Sequence, residues 1–325
     1  RIDGFRFIPD GASEDIHGRA ARHAAAKVLS RELEMRATAL AAAPDDAIVL
    51  SQGGRIAWSG FDIARLERGE TALKPKIQVL ADEHLSAPDR ERVLKRLAAW
   101  LDAQRLARLG PLVALAEASS LTGLGRGLAY RLAENLGVLR RDAVAADVKA
   151  LDQEARAELR KFGVRFGAFN IYLPALLKPA AADLLLLFWT LHAGHEHGID
   201  PESMPPRPGA GLTSIAASPN VPEPYWHAAG FQVAGKRAVR IDMLERLSDL
   251  IRARVSYRAA EAKTAPPAPL DRSPGSETAN TADGEIAAEE APAVTPTAPS
   301  GATGNGGFRV TSDLMSVVGC SGEDL

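Results

Sequence analysis

Residues 180–191, AAADLLLLFWTL, are apolar on every helical face except at Asp183. A helix with that pattern has no side to give to water, and the run falls short of the ~20 apolar residues that cross a bilayer. The sequence therefore predicts a helix buried inside a body large enough to surround it. With 325 residues, 46% of them hydrophobic, the chain can build a core of that size. Its start lacks the pattern of a secretory leader. Its single cysteine, Cys320, excludes an internal disulfide framework and any multi-cysteine zinc site. These features set the expectation of a reducing, cytoplasmic location.

Around that helix the chain divides by its punctuation. Residues 1–85 read as a mixed element: strand sequence over residues 1–10, an alanine-rich helix from Ile16 to Ala43 ended by Pro44, then strands and turns from Ala47 to Leu80 with a hairpin signal at Gly53–Gly54. Ser86, followed by Pro88 and Asp89, opens a helix whose buried face is Val93, Leu97, Trp100 and Leu101, stopping near Gly110–Pro111. Residues 86–193 read as a helical accessory domain broken at Gly123–Gly127, Gly137 and Gly163–Gly167. Residues 194–224 are rich in Pro and Gly and read as an extended connector. Residues 225–259 form a small strand–helix unit, with an amphipathic helix from Asp242 to Val255. Residues 260–306, dominated by Ala, Pro, Thr, Ser and Glu, read as a disordered linker. Residues 307–325 repeat the Gly-Phe-x-Val of residues 230–233 and read as the start of a truncated unit. The fold expected is mainly α: a helical bundle with a small β element near the N-terminus and a disordered tail.

The segment richest in chemistry is Leu151–Pro179, where a charged helix breaks at Gly163 into a basic, aromatic stretch without acids that ends in Lys178 and Pro179. Arg160, Lys161 and Arg165 alternate with Phe162, Phe166, Phe169 and Tyr172. Cations beside flat rings are what a single-stranded nucleic acid uses for phosphate contact and base stacking. The competing reading is that rings three to four apart form a buried stripe. Charge is compatible with the first: residues 264–306 hold one basic and six acidic groups, and residues 307–325 one and three, which leaves the first 263 residues at plus 5.

Three apparent motifs carry less. Gly230–Arg237, GFQVAGKR, matches a phosphate loop up to its last position, where Arg237 replaces the Ser or Thr that holds magnesium, and AVRI reads as a strand. Gly123, Gly125 and Gly127 lack dinucleotide spacing and a preceding strand, and read as a helix junction. His192, His195 and His197 have no matching Cys or carboxylate set and read as a solvated helix end.

GLGRGLAYRLAENLGVL (residues 123–139), LDQEARAELRKFGVRFGAFNIYLPALLKP (151–179) and GKRAVRIDMLERLSDLIR (235–252) together resemble the C-terminal part of bacterial helicases related to the mitochondrial suppressor-of-Var RNA helicase, of the DExH type in helicase superfamily two. The likeness covers most of residues 1–260 and resumes over residues 307–325. It implies an ATP-dependent helicase whose motor, with its ATP and magnesium, lies N-terminal to a fragment that itself carries no catalytic motif and no cofactor or metal site. It implies accessory domains that clamp the translocating strand, with single-stranded nucleic acid, RNA favoured, as partner. From charge and ring interleaving, the residues expected on the strand are Arg126, Arg131, Arg160, Lys161, Arg165 and Lys178, with Phe166 or Tyr172 as stacking ring. The alternative is a scaffold that docks a protein partner such as a nuclease or ribosomal component. No membrane association is expected.

Overall fold

The computed structural model describes residues 1–8, 19–205, 207–258, 298–323 and 325, the side chains of residues 19–23 excepted. The continuous strand expected over residues 1–10 is a hairpin of β1 (Ile2–Asp3) and β2 (Arg6–Phe7), with residues 9 and 10 outside the described set. Helix α1 (Arg19–Ala42) buries Leu33, Ala37 and Leu40, one stripe at helical spacing. Strands β3 (Ile48–Leu50), β4 (Arg55–Trp58), β5 (Phe61–Thr71) and β6 (Lys74–Val79) then run as an antiparallel meander in chain order, β3 and β4 joined at the expected glycine turn.

Helix α2 (Ala87–Ala116) begins as its sequence dictates, with Ser86 Oγ accepting from the Asp89 amide at 3.2 Å. It does not stop at Gly110–Pro111. It kinks at Leu109 (φ −114°, ψ 17°) and resumes, because Pro111 falls in the first turn of the new segment, where its missing N–H costs nothing.

The next stretch holds α3 (Gly123–Glu134), β7 (Val138–Arg140), α4 (Ala145–Ala150), α5 (Gln153–Lys161), β8 (Arg165–Phe166), β9 (Asn170–Tyr172) and α6 (Pro179–Ala193). It is followed by β10 (Ser214–Ala216), α7 (Glu223–Ala228), β11 (Phe231–Ala234), β12 (Arg237–Arg240), α8 (Ile241–Ser256) and α9 (Ser312–Val318). The strands form two three-stranded antiparallel sheets, ordered β7-β9-β8 and β10-β12-β11.

The protein is therefore mixed α/β rather than a mainly helical bundle: about 51% helix and 20% strand, with antiparallel sheets of two, four, three and three strands among the described residues. Gly123–Gly127 is the helix junction expected, opening α3 after α2, whereas the breaks at Gly137 and Gly163–Gly167 lead into strands β7, β8 and β9. Strands of two to four residues are too short to show a period of two against helical neighbours.

Helix α6 is buried as its composition requires, and it serves two cores. Leu184, Leu185, Leu187 and Phe188 join the main one, while Leu186 packs with Tyr225, Trp226, Phe231 and Ala238 of the second. Residues 194–224 are not an extended connector: Ile199 and Ser214 are buried, and β10 is the edge strand of the second sheet. Nor do residues 307–325 begin a separate unit. Leu314, Val317 and Val318 of α9 pack against Val239, Leu244 and Leu247, and Ser214 Oγ donates to the Val318 carbonyl at 2.5 Å. Of the tail expected over 260–306, residues 260–297 lie outside the described set. Residues 298–306 are held by hydrogen bonds such as Arg309 N to Gly301 O, 2.8 Å.

Candidate nucleic-acid interface

Helices α4 and α5 meet in a tight turn at Leu151, which is buried, and Asp152, whose carboxylate accepts from the Ala155 amide at 2.7 Å and so starts α5. The helix ends on a left-handed glycine, Gly163 at φ 87°, with Gly163 N bonded to Arg160 O at 2.9 Å and Val164 N to Leu159 O at 3.2 Å. That cap turns the chain into the β8–β9 hairpin, and β9 closes on β7, with Val138 opposite Tyr172. The module thus runs helix, strand, two helices joined by a tight turn, and hairpin, with the first strand beside the last. Helix-turn-helix units commonly present their second helix to nucleic acid, although a fold alone does not fix a function.

The expected contact residues separate on this frame. Arg126 is exposed on α3 and has no partner among the described residues. Arg131 is occupied: it pairs with Asp147 at 2.6 Å and donates to Ala143 O at 3.3 Å, tying α3 to α4. Lys161 is exposed but pairs with Glu158 one turn earlier. Arg160 lies over the half-buried Phe166 ring, 5.7 Å from its centre. Arg165 is exposed on the edge strand β8, and Lys178 is exposed just before α6.

Neither ring expected to stack is free to do so. Phe166 and its cross-strand partner Ile171 face the main core. Tyr172, one residue along, points to the other face of the sheet, where it packs with Val138, Ile241 and Leu177 and is 1% exposed. Burial raises its pKa despite the Arg165 guanidinium beside it. The competing reading, rings as core, holds for both.

The exposed ring is Phe169, 48% accessible, in the turn between β8 and β9. Gly167 N bonds to Asn170 O at 2.8 Å, and Arg141 anchors the turn from outside, its backbone amide donating to Phe169 O at 2.8 Å and its side chain to Gly167 O at 2.5 Å. The acid missing from this stretch arrives from α8. Glu245, 6% exposed, accepts the Asn170 amide at 2.7 Å and the Phe169 amide at 3.0 Å on Oε1, and the Ala168 amide on Oε2. Gly167 leaves room for that carboxyl: a Cβ there would lie 2.3 Å from Glu245 Cδ. The sequence carried a signal for this, since Glu245 interrupts the stripe Ile241, Leu244, Leu247 that α8 buries.

A cleft of about 410 Å³ lies at the N-terminal ends of α3 and α5. Asp152, Glu154 and Glu158 line it, which disfavours phosphate there. The cationic groups sit at the other end of α5. Comparison with protein-family models, curated protein sequences and solved structures found no match, so the reading of this site rests on its own residues.

The remaining motifs are structural in their surroundings. Gly235, at φ 60°, and Lys236 form the turn between β11 and β12, so the phosphate-loop-like sequence is a hairpin. His197 stacks on Trp189 with centroids 5.7 Å apart, and His195 Nε2 lies 3.2 Å from Arg68 Nη1. Among the described residues no group of three or more His, Cys, Asp or Glu side chains is placed to hold a metal, and no helix is long and apolar enough to cross a membrane.

Proposed function

We propose that the module from α3 to β9 engages single-stranded nucleic acid, RNA in preference to DNA, as an accessory element of an ATP-dependent helicase. The observation that carries this reading is the C-terminal end of α5. There Arg160 and Arg165 are exposed and unpaired with any carboxylate among the described residues, and the exposed Phe169 ring follows Arg165 by four positions in the turn of the same hairpin. Cationic side chains neutralise backbone phosphates, and a solvent-facing ring offers a surface on which a base stacks whatever its identity. Lys178 is a further exposed cation, whereas Arg126 follows the cleft-lining Gly125 at the acidic end of α5, and Arg131 and Lys161 are spent on local acids. The helicase setting, with ATP and magnesium at a motor outside these residues, is drawn from the sequence resemblance and not from the fold.

Fluorescence anisotropy with labelled single-stranded RNA, single-stranded DNA and duplex DNA across a salt series tests it. Binding to the single strands should weaken steeply with salt, and Arg165→Ala should flatten the log–log slope by about 0.7, the loss of one phosphate contact. Preference for duplex would reassign the site to groove binding. Absence of binding at low salt would overturn the reading and favour docking of a protein partner.

A further inference from the structure

The two three-stranded sheets are built the same way. In each, a strand leads to a helix that ends on a left-handed glycine, Gly163 at φ 87° in the first and Gly230 at φ 85° in the second. A hairpin follows, and its second strand returns to pair with the first strand. The modules differ in what their helix can reach. In the second, α7 buries the rings of Tyr225 and Trp226 against α6 and leaves Glu223 and Pro224 exposed, so the counterpart of α5 offers solvent neither a ring nor a cation.

What the second module does present is directed at the first. Glu245 takes three successive amides of the turn 168–170, Gln232 Oε1 accepts from Asn170 Nδ2 at 2.7 Å, and His227 Nε2 lies 3.3 Å from Asn170 Oδ1. With those three N–H groups turned inward, the backbone of the turn is fixed and the Phe169 ring is left outside. A ring on an immobilised backbone loses little entropy when a base stacks on it.

We propose that the second module is a holder for the first, with Glu245 as the positioning residue that presents Phe169 as the base-stacking ring. This rests on the nucleic-acid reading above. It assigns stacking to a ring different from the two that the sequence suggested.

The test uses the full chain with fluorescein-labelled oligouridine and the variants Phe169→Ala, Phe169→Trp, Glu245→Gln and the double variant Phe169→Ala/Glu245→Gln. Phe169→Ala should weaken binding about tenfold, equivalent to about 1.4 kcal/mol, without changing the salt slope, because no phosphate contact is lost. Phe169→Trp should restore it. Glu245→Gln should weaken binding about fivefold and speed amide exchange at residues 168–170, and the double variant should bind no more weakly than Phe169→Ala alone. If the wild-type chain does not bind, the nucleic-acid reading falls and this assignment with it. If the wild type binds but Phe169→Ala binds equally well, or the two losses add in full, the assignment alone is overturned. Phe169 is exposed, so its variants decide the question even where Glu245→Gln fails to fold.

Discussion

Glu245 Oε1 accepts the backbone amide of Asn170 at 2.7 Å across 75 residues of sequence, and both residues are buried. A carboxylate that removes three amides from solvent at once is a stronger tie than any single hydrogen bond, because charge-assisted bonds are about twice as strong as neutral ones. It joins the turn of one sheet to the helix that backs the other.

Gly167 is required by that tie. In Gly167→Ala the new Cβ would lie within 2.3–2.7 Å of the Glu245 carboxyl atoms, so the carboxylate or the turn must move. We expect a loss of about 2 kcal/mol, in the range of overpacked sites, read from the urea midpoint.

The paired glycines offer a controlled comparison. Gly163 and Gly230 share a left-handed conformation, but a Cβ at Gly163 meets nothing within 4 Å, whereas one at Gly230 lies 2.8 Å from Leu177 Cδ2. Gly163→Ala should cost about 1 kcal/mol, the conformational penalty alone. Gly230→Ala should cost about 1–3 kcal/mol more, with thermal melts of the two variants as the check.

Tyr172 and Phe169 should respond in opposite ways. Tyr172→Ala removes a ring from a closed cluster and is expected to destabilise the fold by about 3–5 kcal/mol. Phe169→Ala, on an exposed turn, should change stability by no more than about 0.5 kcal/mol. Equal effects on the denaturation midpoint would contradict the assignment of one ring to the interior and the other to the surface.

His227 makes stability depend on pH. Asn170 Nδ2 donates to Gln232 and Glu245, so Asn170 Oδ1 is left to accept, and His227 carries its proton on Nε2. Burial, reinforced by Arg140 and opposed by Glu223, holds its pKa below the ordinary 6.5. The unfolded chain thus takes up a proton near 6.5 that the folded chain refuses until lower pH. The stabilisation is complete above the unfolded pKa and is lost as pH falls through it towards the folded one. Urea midpoints at about pH 7 and 5 should differ less in His227→Gln than in the wild type.

Arg254 is 3% exposed and bonds to Ser300 O at 2.6 Å and to Leu250 O at 2.8 Å, besides pairing with Asp313. It fastens residues 298–318 to α8. Arg254→Ala should raise amide exchange within α9 while leaving α5 unchanged, and uniform exchange across both helices would refute a local role.

The sequence by itself determined what depends on neighbours a few residues apart. The apolar run 180–191 had to be an interior helix, Ser86 had to cap α2, Gly53–Gly54 had to turn a hairpin, and Met243, Leu244 and Leu247 had to share a face of α8. Caps, turns and periodicity are local, so they survive in the linear text. Tertiary structure alone decided that the strands of residues 138–172 close into a sheet, that Tyr172 faces Ile241, and that the acid for the 168–170 turn comes from Glu245. A ring becomes core or platform according to which surface packs over it. For Tyr172 and Phe169, three residues apart and alike in their aromatic character, that surface is assembled from residues distant in the chain.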